Sequence, residues 1–188
     1  TIGDVQYPAK IFSLWSKSQL NAIGIIEVTF DDSNKKDENW YVNTNQTFTY
    51  DASAGTVTAA YGTATAKAHA DTLWTQQDSD DGNLPDDKEV GDIKVEGLKT
   101  QLIRTIKQQA AGILQNTDWY IVRKADTGTA VPSSITTYRA AVRTKAAEME
   151  TAITNASDTP ALETLYTYTE QEDGSVTRPL GELPELES

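Results

Sequence analysis

The chain has 188 residues, with 16 basic against 28 acidic side chains and a formal charge of −12. That balance argues against binding a nucleic-acid backbone, which needs a basic face to displace counterions. With no cysteine and one histidine, disulfides, thiolate nucleophiles, Cys-ligated zinc, iron–sulfur clusters and two-His metal sites are excluded, and no cofactor is expected.

Apolar residues make up 38% of the chain, so a modest core divided between two lobes is expected. Threonine occurs 26 times; it favours strands and satisfies caps and turns. No apolar run is long enough for a membrane span, and Thr1-Ile2-Gly3-Asp4 has no signal-peptide pattern.

Residues 7–30 read as a short helix feeding a strand. Ser16 and Gln19 are spaced for a capping box, Leu20 and Ile23 give the apolar side, and Gly24 stands where a helix end needs left-handed φ. Ile25 to Phe30 is the strand, followed by a polar loop over 31–39. Over 40–63 the pattern predicts antiparallel strands at Tyr41-Val42, Thr47–Tyr50 and Thr56–Tyr61, the last two joined by a turn at 51–55. Thr47 and Thr49 alternate with Phe48 and Tyr50, which suggests one wet and one buried face. The Ala-rich stretch from Ala64 to Trp74 is compatible with a further helix.

Residues 78–96 hold eight acids with Gly82, Pro85 and Gly91 and read as a solvated linker. Val95, Leu98, Leu102, Ile103, Ile106, Ala110, Ile113 and Leu114 recur at helical spacing and predict a helix over 95–116. Gly112 within it suggests close approach of another backbone. A second helix over 133–154, capped by Ser133 or Ser134, carries Ile135, Tyr138, Val142, Ala146, Met149 and Ile153 on its apolar stripe. Arg139, Arg143 and Lys145 are placed with Glu148 and Glu150 on the rest of its surface. A connection over 117–132 makes the pair an antiparallel hairpin. A short helix after Pro160, a β-hairpin around Glu172-Asp173-Gly174 and an extended end complete the chain.

The fold class is therefore α+β. A small N-terminal antiparallel β module with one short helix (1–77) and an acidic linker (78–94) precede a long antiparallel helical hairpin (95–155) and an extended C-terminal extension (156–188).

Chemistry-bearing patterns are sparse. Asp78 to Glu89 has the length of a calcium loop, but its Gly82 falls at the fifth position where the sixth is required. His69 lies beside Asp71 without a nucleophile that the sequence points to. No nucleophile elbow or phosphate-cradling glycine motif occurs. Trp119-Tyr120 stands at the hairpin corner, where it either plugs the base of the hairpin or anchors a partner, with Arg123 and Lys124 beside it. Trp15, Trp40 and Trp74 are candidate stacking platforms for a glycan.

Two stretches resemble bacteriophage proteins. Tyr7-Pro8, Leu14-Trp15-Ser16 and Leu20-Asn21-Ala22-Ile23-Gly24-Ile25 resemble the opening of small phage tail-associated proteins that continue into a β module. Ile113-Leu114-Gln115-Asn116-Thr117-Asp118-Trp119 with Tyr138-Arg139-Ala140-Ala141-Val142-Arg143 resembles the helical hairpin of tail-fibre assembly or tail-assembly-chaperone-like proteins. The resemblance implies a non-enzymatic virion protein of the tail, baseplate or fibre, made in the infected host cytoplasm. Its partners would be other virion proteins and further copies of itself in a homo-oligomer or symmetric assembly, with no nucleic acid and no membrane. A fibre assembly chaperone and a glycan-binding accessory are the alternatives. It further implies that Asp118 caps or bridges the helix end and that Trp119 fills the space between the helices. Tyr138, Arg139 and Arg143 would reach across to the first helix or to a neighbouring chain.

Overall fold

The computed structural model describes residues 2–186. It forms two compact units, residues 1–66 and 67–188. The division falls earlier than the module end placed at 77, because the strand around Thr72 and the acidic stretch fold into the second unit.

The first unit carries α1 (Ile11–Leu14) and α2 (Lys17–Ala22), then β1 (Glu27–Asp31), β2 (Tyr41–Val42), β3 (Gln46–Asp51), β4 (Thr56–Tyr61) and β5 (Thr65–Ala66). The Ser16 hydroxyl accepts from Gln19 N–H while the Gln19 side chain accepts from Ser16 N–H, closing the predicted capping box. Gly24 takes φ +82°, as its place after the helix requires. One additional turn of helix, α1, precedes the predicted one, and the strand begins at Glu27 rather than Ile25.

β3 and β4 form the predicted hairpin, closed by the Asp51 carboxylate, which accepts from Ser53 N–H, Ser53 O–H and Ala54 N–H. The sheet order is β1-β4-β3, and β1 runs parallel to β4, with Glu27 opposite Thr56 and Asp31 opposite Ala60. The expected all-antiparallel module is thus a mixed sheet. The Asn21 amide donates to Gly55 O at 2.8 Å, which brings the chain leaving α2 to the start of β4, so both strands set out in the same direction. Gly55 is required there. Its φ is +61°, and a Cβ would lie 2.5 Å from Asn21 Nδ2. β2 pairs antiparallel with β5. Ile11, Trp40 and Ala59 are the buried apolar residues of this unit.

The second unit carries β6 (Thr72–Leu73), α3 (Gln76–Asp80), β7 (Ile93–Val95), α4 (Leu98–Gln115), α5 (Asp118–Thr127), α6 (Ser133–Asn155), α7 (Thr159–Tyr166), β8 (Thr169–Glu170) and β9 (Val176–Thr177). The α+β class holds: helices dominate here and small sheets recur throughout. α4 and α6 run antiparallel. Lys99 Nζ donates to Thr154 O, Lys107 pairs with Glu150 and Arg139 reaches Leu114 O, so contacts on one helix descend as those on the other rise. Ile106, Ala110, Ile135, Val142, Ala146, Met149 and Ile153 fill the seam, joined by Leu162 of α7 and Leu180. The stripe from Leu98 onward therefore faces the core as predicted, whereas Val95, counted in it, lies in β7 and is 60% exposed, because α4 begins at Leu98 rather than at 95.

Ala64–Trp74 is extended rather than helical, because its backbone groups are used by other elements. The carbonyls of Ala68 and His69 accept from Leu98 and Lys99 N–H, two of the orphan donors that open α4. The Asp71 carboxylate accepts from Gly97 N–H and Thr100 O–H, and Lys67 O accepts from Thr159 O–H at the start of α7. Gly97 lies so close that a Cβ would meet the Ala70 carbonyl carbon at 2.3 Å. The sequence had placed the close backbone approach at Gly112 instead, where a Cβ would meet nothing within 4 Å. α6 starts at Ser133 without a side-chain cap, so neither serine serves the role predicted for it.

The acidic stretch is not an open linker. Thr75 and Asp78 form a capping box, Lys94 bonds Asp78 at 2.6 Å and lies over the Trp74 ring at 4.4 Å, and β7 pairs with β6.

Candidate protein-interaction site

The corner between α4 and α6 is built around Arg139, which is only 7% exposed. Its Nη1 donates to Leu114 O at 2.7 Å and to the Thr117 hydroxyl at 2.6 Å, and its Nη2 pairs with Asp118 at 2.8 Å. The cation thus sits at the C-terminal end of α4, where free carbonyls favour it, and its partner Asp118 opens α5, where free N–H groups favour an anion. Asp118 bridges the helix end as the resemblance implied, and Arg139 reaches the first helix. Arg143 does not: it donates back to Arg139 O on its own helix. Tyr138 is half-buried and lines a groove of about 660 Å³ with Gly112, Ile113, Asn116, Met149 and Pro184.

The connection over 117–132 holds a helix the sequence reading missed. α5 ends at Gly128, whose φ of +72° and N–H bond to Lys124 O close it. Asp118 at one end and Gly128 at the other were the available signals. No residue of α5 is buried. Trp119 is 52% exposed, so it does not fill the space between the helices. It stacks on Tyr120 with centroids 4.0 Å apart, and the Arg123 guanidinium lies 4.7 Å from the Trp119 ring and 5.4 Å from the Tyr120 ring. The Arg123 Nε is buried and has no acceptor among the described residues. Ile121 and Val122 are also exposed. Aromatic rings with an arginine held against them are the composition that dominates binding energy at protein interfaces.

The first unit carries an apolar surface of its own. The register sets Val57 between Val28 and Tyr50, and Ala59 between Phe30 and Phe48, all on one face. Ala59 is fully buried between its neighbours, but Phe30, Phe48 and Tyr50 are 69%, 66% and 55% exposed. The face expected to be buried is therefore open. At 150–250 Å² per ring, these three leave on the order of 400 Å² of aromatic surface in water, the size at which patches on soluble proteins become functional. The opposite face is threonine-rich, with the Thr29 and Thr58 hydroxyls 3.3 Å apart.

The C-terminal extension is docked. Leu180 is buried and its N–H bonds Leu165 O. Arg178 lies 5.2 Å from both the Tyr166 and Tyr168 rings and pairs with Glu182, which also accepts from the Tyr168 hydroxyl at 2.6 Å. That bond raises the Tyr168 pKa, and burial raises that of Tyr166 against the opposing charge of Arg178.

The other candidates are otherwise engaged. Both Asp71 oxygens serve the α4 cap, not His69. Asp78 is committed to Thr75 and Lys94. These bonds to Asp78 depress its pKa to about 2. Of the three candidate stacking tryptophans, Trp40 is buried, Trp15 packs edge-on to Tyr7 and Trp74 lies under Lys94.

Compared with known protein families, curated proteins and solved structures, the chain matches none.

Proposed function

We propose that this chain is a non-enzymatic structural component of a bacteriophage virion, part of the tail, baseplate or fibre, and that it acts as an adaptor between other virion proteins. The observation that carries the reading is the exposed aromatic surface on each unit: Phe30, Phe48 and Tyr50 on the sheet, Trp119 with Arg123 on α5. Each is of a kind that solvent alone does not favour and that a protein partner would cover. The phage setting rests on the sequence resemblance at residues 7–25 and 113–143.

Quantitative mass spectrometry on purified particles of the phage that encodes the chain tests this. The expected result is a fixed copy number per particle. Absence from particles together with abundance in infected cells would replace the structural role with that of a fibre assembly chaperone.

A further inference from the structure

The two edges of the three-stranded sheet are not equivalent. β1 presents Glu27 and Asp31 at its ends. A second copy of β1 laid antiparallel across Thr29 would set Glu27 against Asp31 twice, and like charges directly opposite destabilise a strand pair. β3 presents Gln46, Thr47, Phe48, Thr49 and Tyr50, all uncharged, and its one acid, Asp51, is bound into the turn by Ser53 and Ala54. Among the described residues, Gln46 to Tyr50 make no backbone hydrogen bonds beyond those to β4. None of the usual protections of an edge strand is present on this stretch: no lysine, no proline and no register irregularity.

We infer that β3 is a self-association edge: two copies of the chain pair β3 to β3 antiparallel about Thr49, joining their sheets into one of six strands. In this register Thr49 meets Thr49 of the second copy, Phe48 meets Tyr50, and Thr47 meets Asp51. No like charges are opposed, and each aromatic residue gains an aromatic neighbour on its own face. The contact is isologous, so it closes at two copies. It also merges the two open aromatic faces into one continuous surface. The two copies carry like net charges of −12 each, and their repulsion is screened at physiological ionic strength, where fields decay over about 8 Å, so the association strengthens as salt is raised.

The dimer does not depend on the virion reading and is tested on the purified full chain. Sedimentation across the micromolar range is expected to show a monomer–dimer equilibrium. Thr49→Lys, which sets lysine against lysine, is expected to weaken it by about tenfold or more, while Thr29→Lys on the β1 edge leaves it unchanged. The chain has no cysteine, so Thr49→Cys introduces a single thiol. Antiparallel partners have Cα atoms about 4.5–5.5 Å apart, within the range a disulfide spans. Oxidation is expected to cross-link Thr49→Cys as a dimer and to leave Thr29→Cys monomeric. A monomer at every concentration would overturn the inference, as would equal cross-linking at both positions or an open series of larger oligomers. None of these results bears on the particle measurement, which tests the virion reading separately.

Discussion

The two units solve the same problem with different means. In residues 67–188 two long helices share a continuous apolar seam, and its largest side chains are almost wholly excluded from water. In residues 1–66 the sheet leaves one apolar face exposed among the described residues, and order comes from hydrogen bonds: a capping box at Ser16, an Asx turn at Asp51 and the longer-range Asn21–Gly55 link. Three strands with an apolar face are about the least that a sheet needs for independent stability. The comparison teaches that Phe30, Phe48 and Tyr50 of the first unit add little to its own core, whereas the aliphatic side chains in the seam of the second hold that unit together.

Truncation in each unit would sharpen that contrast most. Ile153→Ala removes a side chain with no exposed surface and is expected to cost about 2–5 kcal/mol in urea unfolding. Phe48→Ala, at 66% exposure, is expected to cost under about 1 kcal/mol. Equal losses would mean that the sheet face is covered in solution. Arg139→Met strips the Leu114 carbonyl and Thr117 hydroxyl of their donor, at an expected cost of about 2–3 kcal/mol. Asp118→Asn, at the exposed end of the same cluster, should cost less than about 1 kcal/mol. Gly97→Ala pushes a Cβ into the Ala70 backbone and is expected to cost about 1–3 kcal/mol. Amide exchange should show it as faster exchange at Leu98 and Lys99, while Gly112→Ala should be neutral or stabilising.

Trp119→Ala gives the smallest expected change in thermal stability and the clearest test of α5 as a docking surface. The melting temperature should hold, while retention on partner-bearing particles falls. The weakest effect is expected in acid. Asp78 has its pKa lowered to about 2, chiefly by its hydrogen bond to Lys94 and then by those to Thr75. A carboxylate depressed in the folded state contributes stability that is complete above its unfolded pKa near 4 and is lost as pH falls through the folded value. The Thr75 and Asp78 amide signals should therefore shift between about pH 4 and pH 2 with the rest of the unit intact. Movement of those signals above pH 5 would contradict it.

Local chemistry was legible in the sequence wherever neighbouring residues answer one another. The Ser16–Gln19 capping box, the left-handed Gly24, the Asp51 turn, the Asp173-Gly174 hairpin and the stripes of α4 and α6 were all read from spacing. The site was only partly legible. Asp118 bridges the helix end and Arg139 reaches the first helix, in line with the resemblance, but their pairing with each other was not foreseen, Trp119 faces solvent and Arg143 bonds its own helix. The helix α5 was missed because its apolar residues face no core, so periodicity carried no message about burial.

Spacing and residue type by themselves determined that α2, α4, α6 and α7 are helices, where most turns fall and which stripe of α4 and α6 is apolar, because those preferences act within a few residues. Only the tertiary structure decided that β1 runs parallel to β4, that Ala64–Trp74 stays extended, that Gly97 rather than Gly112 is the close contact, and that the sheet's aromatic face is open. Each of those outcomes depends on which distant group takes a backbone hydrogen bond or covers a side chain. The amide of Asn21 reaching Gly55 and the carbonyls of Ala68 and His69 capping α4 are partnerships between segments that carry no mark of each other in sequence.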